Sequence, residues 1–517
     1  MPMELSINRQ VVKIRAYLSN PVLQLGVAAV LSGLVYALLL VRPVYLYDFY
    51  HIPHLDGDYE VWADPGFRRR TIGAFIYLGV LYLLAWRAAR RASGRAAWGV
   101  VLGGWLAFSL LLTFLMPFDA ADIFDNIVHG RILGQYGENP FIRVGREFPN
   151  DPFVPYMAWG KSPSAYGPVW ELMAAPAARL AARLGGEAVP VNIIVFKWLG
   201  GLFYAAAVGV AAVLLQRKAP ERALPGVLLL AWNPVALYET LGNGHNDIVM
   251  VVWILAAAWA LAEKRFTLAL LALTLGALVK YIPVLLAPAA FFIALRALPG
   301  WQRRLRFTLL SGLLCAGLAA LAYAPFWQGL RTLSIERRAG MFSASLPATL
   351  FHALRPEIGE ENAAALISGG AALLTLLFAL WQGWSAAQRS ARDEGGAPAP
   401  DAGWLAFSRA GFNILMFYLL FTCLWFQQWY TLWPLGLAAL LPPGPGTHLA
   451  VVFGFAALSK QFIIGPVLFR LKPPPRQPWF ELQFIAGILL VPWLFAVFLW
   501  QRARRLPQRR RASKRRS

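Results

Sequence analysis

Apolar runs separated by short polar breaks follow one another from near residue 22 to residue 500. They fall near 22–41, 71–86, 96–116, 191–215, 223–241, 246–262, 266–279, 282–296, 307–326, 363–384, 404–426, 429–442, 449–468 and 483–500. A helix needs about 20 apolar residues to cross the hydrocarbon of a bilayer. Only structures that satisfy their own backbone hydrogen bonds are viable there. The pattern therefore predicts an all-α, polytopic membrane protein with about 12–14 transmembrane helices. Several runs are shorter than a full span. The pair on either side of Lys280 reads as a hairpin that crosses only in part, with its tip in protein or in a water-filled cavity.

The breaks set the orientation. Basic clusters at 87–95, 216–222, 263–265, 296–306 and 502–517 fall on one side if the segments alternate, and that side is expected to be cytoplasmic, with both termini there. Arg68, Arg69 and Arg70 run against the rule, on a loop that also carries Asp48, Asp56, Asp58, Glu60 and Asp64. The expected organisation is a single membrane domain over 1–500 with long outer loops at 42–70, 117–190 and 327–362. The stretch 386–403, rich in small residues, Pro and Gly, is a cytoplasmic linker, and 501–517 a basic cytoplasmic tail. No internal repeat of fixed period is visible.

Composition narrows the classes further. With 58% hydrophobic and 14% charged residues, the 517-residue chain leaves no room for a large soluble domain. The net charge of +22 raises the question of nucleic acid, but the basic residues sit in clusters between apolar runs, so no nucleic-acid partner is expected. Cys315 and Cys423 each lie inside an apolar run, without the spacing of a disulfide framework or a zinc site. The first apolar run is too long for the core of a signal peptide and reads as a retained helix.

Polar residues are scarce enough for their clusters to matter. In "FDAADIFDNIVHGR" (118–131), Asp119, Asp122 and Asp125 would spread over roughly 120° of one helix face, with His129 one turn beyond Asp125. Acids at a helix N-terminus are favoured by the backbone dipole, and Asp119 would serve as N-cap, so a structural role accounts for them as well as chemistry does. A divalent cation on these acids is possible by ligand type, although nothing fixes a geometry; no metal ligand and no certain cofactor is assigned.

The second cluster is "WNPVALYETLGNGHNDIVM" (232–250), in which Glu239, His245, Asn246 and Asp247 crowd a turn between two apolar runs. Water would satisfy such a turn at the surface. At membrane depth these residues are costly unless they line a cavity. Lys280 in "LVKYIP" either snorkels or meets an anion such as a phosphate. Arg337 and Arg338 stand in an outer loop where orientation does not ask for them. Tyr166 in "SPSAYGPVW", and Trp429 and Tyr430 in "WFQQWYTLWP", suit either interfacial anchoring or stacking on a sugar ring.

In this order, "DAADIFDNIVHGRILGQYGENPF", "PSAYGPVWE", "WNPVALYETLGNGHNDIVM", "LVKYIPVLLAP" and "QQWYTLWPL", over about 117–435, resemble the GT-C superfamily of integral-membrane glycosyltransferases. The nearest resemblance is to bacterial polyprenol-phosphate-mannose-dependent alpha-mannosyltransferases. The resemblance implies a GT-C-like fold with outward-facing loops in the bacterial cytoplasmic membrane. It also implies transfer of a hexose, mannose favoured, from a polyprenyl-phosphate donor to a glycan or lipid acceptor on the outer face. An aspartate in an early outer loop would be the general base, which maps to Asp122 with Phe124, Gly130 and Arg131 following. Asp119 and Asp125 compete for that role, and Phe124 and Asn126 stand in a region where family members often carry Tyr. Substrate contacts fall to Arg131, Tyr166, Glu239, His245, Asn246, Asp247, Lys280, Arg337, Arg338, Trp429 and Tyr430. A polytopic transporter or lipid flippase is the alternative; it would share the architecture and use buried His, Asp and Lys in coupling, but repeated halves are not visible.

Overall fold

The computed structural model describes residues 19–48, 64–118, 120–333, 341–390, 402–460, 462, 481–482 and 485–498. Among them every regular element is a helix, and β-type pairing is confined to isolated bridges such as Tyr45 with Leu115. Among the described residues seven helices are long and apolar enough to cross a membrane: Pro21–Val44, Pro65–Ala89, Gly94–Thr113, Val189–Lys218, Trp301–Phe326, Glu360–Arg389 and Gly403–Thr422. Five shorter apolar helices accompany them. The surface is inverted relative to a soluble protein. Leu309, Leu313 and Leu321 are 64%, 71% and 74% exposed, as lipid-facing side chains are, while Asp125, His129, Glu171, Lys197, Glu239, His245 and Asp247 are buried.

The chain divides into two compact units, Met1–Val252 and Trp253–Ser517. In the first, α1 (Pro21–Val35) packs on α2 (Pro65–Ala89) and α3 (Gly94–Thr113). The starts of α1 and α2 follow the capping rules: Asn20 Oδ1 accepts from Val22 N at 2.9 Å and Asp64 from Gly66 and Phe67 at 2.8 and 2.9 Å, each followed by a proline at the first helical position. The end of α3 is closed from another helix, because Lys197 sends its ammonium to the carbonyl oxygens of Leu112, Thr113 and Leu115. These carbonyls stand at and just beyond the last turn of α3, where intrahelical donors run out, and the amine complements the negative end of its dipole.

Next comes α4 (Asp122–Gly134), which starts after Ala121 in the N-cap position. The expectation of a helix capped by Asp119 is corrected here: cap and helix start lie two residues later, so Asp122 and Asp125 occupy the first turn, while Asp119 lies outside the described residues. Against α4 lies α5 (Pro168–Gly185), and the two come unusually close. A Cβ on Gly130 would lie 2.8 Å from the Ala174 oxygen, and one on Gly134 2.6 Å from the Ala175 oxygen. Small residues four apart allow backbones to meet in this way, and the Arg179 guanidinium adds a hydrogen bond from α5 to Gly134 O at 2.7 Å. The unit is completed by α6 (Val189–Lys218), α7 (Ala223–Ala231) and a π-helical turn, Tyr238–Gly242, that precedes α8 (Asp247–Ala262).

In the second unit, α9 (Phe266–Ala277) and α10 (Ala287–Ala297) are joined through Lys280 and a 3₁₀ turn at Ile282–Leu286, which is the short hairpin expected from the sequence. Gly276 lies against Pro283, with a would-be Cβ 3.0 Å away, so the hairpin closes tightly. Helix α11 (Trp301–Tyr323) packs on α9. Helix α12 (Leu346–Ile358) packs on α13 (Glu360–Arg389), which also contacts α10 and α14 (Gly403–Phe417). Phe378 of α13 stacks on Phe417 of α14 with ring centroids 4.1 Å apart. The strand-like segment at Ser343 is pinned to the chain at 424–426, where Ser343 N donates to Leu424 O at 3.2 Å and Phe426 N to Ser343 O at 3.0 Å.

Candidate active site

The site forms where α4 meets the turn before α8, both in the first unit. Two local features bring them together. Gly244 has φ +79°, a conformation that favours glycine, and the side chain of Ile123 fills the space where a Cβ would stand. The turn thereby lies directly against the first turn of α4.

That contact places His245 between two carboxylates. Its Nδ1 lies 3.7 Å from Asp122 Oδ2 and its Nε2 3.4 Å from Glu239 Oε2. The side chains grade outward, at 0% exposure for Glu239, 1% for His245 and 17% for Asp122. Asp122 is thus the accessible end of a buried polar line. Glu239 is held in turn by Asn243, whose Nδ2 donates to Oε2 at 3.1 Å, and His245 N donates to Glu239 O at 2.9 Å. Asn246 and Asp247 are also buried, and the Asn246 side-chain amide makes no hydrogen bond.

Asp125, one turn along α4, differs in character from Asp122. It is buried and accepts from the amides of Ala158 at 3.2 Å and Trp159 at 2.9 Å. Burial, reinforced by the charge of Asp122, raises its pKa well above the carboxylate range despite those two amides. Burial likewise pushes the Tyr166 hydroxyl well up, helped by the charges of Asp122, Asp247, Asp125 and Glu171. The loop tyrosine and the carboxyls therefore lie within electrostatic reach of one another.

Helix α4 also winds the following loop around itself. Phe124 stacks on Tyr156 at 5.1 Å between centroids, Asp125 holds residues 158 and 159, and Asn126 Oδ1 accepts from Trp170 Nε1 at 2.9 Å. Arg131 pairs with Asp151, Nε to Oδ2 at 2.6 Å, with both side chains almost fully buried. Tyr136 donates to the same oxygen at 2.7 Å. Successive positions of one helix thus anchor a loop that has little regular structure of its own.

The expected site residues separate accordingly. Asp122, Asp125, Tyr166, Glu239, His245, Asn246 and Asp247 come together in the first unit. Arg131 is engaged by Asp151 and by the ring of Phe153, 5.0 Å from its guanidinium. Lys280, Trp429 and Tyr430 belong to the second unit, where the Lys280 ammonium lies 5.6 Å over the Tyr430 ring and Trp429 meets Tyr430 edge-on at 6.0 Å. Asp119, Arg337 and Arg338 lie outside the described residues. Among the described residues no group of three or more His, Cys, Asp or Glu side chains is arranged to hold a metal ion.

Sequence reasoning missed Glu171 and Lys197. Glu171 is fully buried in the first turn of α5, accepts from Ser164 Oγ at 2.5 Å, and is pushed up to about 7 by burial. An acid opening a helix reads as a dipole partner, and only its alanine-rich surroundings hinted at burial. Lys197 stands alone inside the apolar run of α6, a signal in itself for an intramembrane partner.

No curated protein gives a significant match to the chain. Residues 52–296 match the model of the MptA_B family, described as Alpha-(1->6)-mannopyranosyltransferase, N-terminal domain. Residues 52–296, which hold the accessible aspartate and the buried histidine behind it, are thus similar to the N-terminal domain of an alpha-(1->6)-mannopyranosyltransferase, and among the described residues they stand in a helical architecture with candidate membrane spans.

Proposed function

We propose that the protein transfers a hexose, mannose favoured, from a polyprenyl-phosphate donor to a glycan or lipid acceptor on the outer face of the bacterial cytoplasmic membrane, with Asp122 as the general base. The observation that carries the reading is the position of Asp122: a carboxylate 17% exposed at the edge of a buried polar cluster, with His245 3.7 Å behind it. In the reaction an acceptor hydroxyl oxygen bonds to the anomeric carbon while the bond from that carbon to the phosphate oxygen breaks. The electron pair leaves with the lipid phosphate, and the hydroxyl proton passes to Asp122. One displacement inverts the anomeric centre, so a beta-linked donor yields an alpha-linked product.

Other roles follow from residue chemistry. Asn246, whose buried amide has no hydrogen bond, and Asp247 are assigned to sugar hydroxyls, where orientation is determined. Tyr166, Trp429 and Tyr430 are assigned to the sugar ring on the ground that such rings stack on aromatic side chains. Lys280, Arg337 and Arg338 are the cations assigned to the departing phosphate, since charge that develops in a partly dry site is best met by fixed charge.

The test is transfer of labelled sugar from polyprenyl-phosphate donors by purified protein, comparing wild type with Asp122→Asn, Asp119→Asn and Asp125→Asn. Loss of about 10²–10⁴ in rate is expected for Asp122→Asn. Full activity in that variant overturns the assignment, and absence of turnover with every lipid-phosphate sugar favours the transporter or flippase instead.

A further inference from the structure

We propose that His245, anchored by Glu239, is the positioning residue of the base: it fixes the Asp122 carboxylate and keeps the negative charge on Asp122 rather than on its neighbour Asp125. The inference rests on the reading of Asp122 as the base. It gives His245 and Glu239 a task toward that base in place of contact with the sugar.

Geometry argues for it. The imidazole lies between two carboxylates, with Glu239 Oε2 3.4 Å from Nε2 and Asp122 Oδ2 3.7 Å from Nδ1. A ring so placed turns each nitrogen toward a carboxylate. Glu239 and His245 are also fixed to each other through the main chain, by the hydrogen bond from His245 N to Glu239 O. The left-handed Gly244 between them and α4 makes the turn rigid where it meets Ile123. A histidine held on one nitrogen by a buried carboxylate and presenting the other to the working group is the arrangement that orients a side chain without itself reacting.

Charge argues for it as well. Asp122 and Asp125 share the first turn of α4, and two carboxylates so close in a poorly solvated place do not both ionise freely. Asp247, Glu171 and the Tyr166 hydroxyl add no positive charge to the pair. His245 faces Asp122, whereas His129, one turn beyond Asp125 on α4, has its pKa lowered by burial to about 4 and stays neutral. The proton therefore settles on Asp125, whose carboxyl is turned to the amides of Ala158 and Trp159 and away from the accessible side. Asp122 is thereby the carboxylate that takes the acceptor's proton.

The test measures kcat, KM and the pH dependence of kcat/KM for wild type, His245→Gln, Glu239→Gln and Asp122→Asn in detergent, with monodispersity checked for each. An opposite charge within about 4–6 Å lowers a carboxyl pKa by roughly 1–3. His245→Gln is therefore expected to move the acidic limb of kcat/KM upward by about that much and to lower kcat with KM for donor and acceptor unchanged. Glu239→Gln, which leaves the imidazole in place, is expected to do the same to a smaller degree, and Glu239→Asp to restore part of it. If Asp122→Asn is inactive while His245→Gln raises KM and leaves the acidic limb in place, the base reading stands and this inference falls, with His245 then a sugar contact. If Asp122→Asn keeps full activity, the base reading falls and this inference with it. Should His245→Gln fail to fold, Glu239→Gln decides by the same two readouts.

Discussion

Replacing Arg131 by Met should release the loop that α4 holds, without acting on substrate phosphate. The guanidinium is 2.6 Å from Asp151 Oδ2, with side-chain exposures of 4% and 0%, so the variant leaves a carboxylate in the interior without its cation. Breaking a buried pair from one side costs about 3–5 kcal/mol, because the remaining charge is uncompensated. Part of that is recovered by the Tyr136 hydroxyl at 2.7 Å and by the Phe153 amide, which donates to Asp151 Oδ1 at 2.9 Å, so about 3 kcal/mol is the better figure. The cost falls on the loop, since Asp151 organises the turn through Phe153 and Tyr156, and it should appear as local opening. At about 1.4 kcal/mol per tenfold, amide hydrogen exchange over 148–157 should accelerate by about 10²-fold, with little change in α1–α3. Asp151→Asn alone should act similarly, and the double variant Arg131→Met/Asp151→Asn should recover much of the protection. Unchanged exchange in Arg131→Met together with a raised KM for the donor would refute this reasoning and return Arg131 to the phosphate.

Three further outcomes follow from the packing and the buried groups. Gly134→Leu should force α4 from α5, because a Cβ already lies 2.6 Å from the Ala175 oxygen; a loss of at least about 1–3 kcal/mol in thermal unfolding is expected, and an unchanged melting curve counts against the close approach. Gly244→Ala should lose activity and about 1–2 kcal/mol of stability from the backbone alone, and adding Ile123→Ala should restore the steric part but not the conformational part. Stability against pH should be nearly flat between about 4.5 and 6.5 as far as His129 and Glu171 are concerned, because they oppose each other. Burial lowers His129 to about 4, so its contribution is present above 6.5 and lost as pH falls toward 4; burial raises Glu171 to about 7, so its contribution is present below 4.5 and lost as pH rises through 7. Glu171→Gln should therefore unmask a fall in stability toward pH 4 of at most about 3 kcal/mol, and a flat profile in that variant would refute the assignment for His129.

The sequence and the fold agree where a single physical requirement dominates. Apolar runs report membrane helices because the bilayer leaves few alternatives, and the interruption at Lys280 reports a short hairpin because polar backbone cannot be left in lipid. Agreement fails where a side chain has more than one chemically reasonable partner. Arg131 was legible as a cation in an otherwise anionic motif, but its partner, Asp151, is chosen by how the loop winds around α4, and no spacing rule encodes that path. The three aspartates of the opening motif looked equivalent on a helical wheel. The structure distinguishes two of them by what approaches: amides of residues 158 and 159 bury Asp125, while the turn at Gly244 brings His245 behind Asp122 and leaves that carboxylate at the edge. Glu239, His245 and Asp247 were recognisable as expensive residues, since buried ionisable groups need a reason. What they lacked in sequence was direction. That direction comes from Gly130, Gly134 and Gly244, residues without chemistry of their own, whose missing side chains let α4 approach α5 and the turn closely enough for the carboxylates and the imidazole to meet.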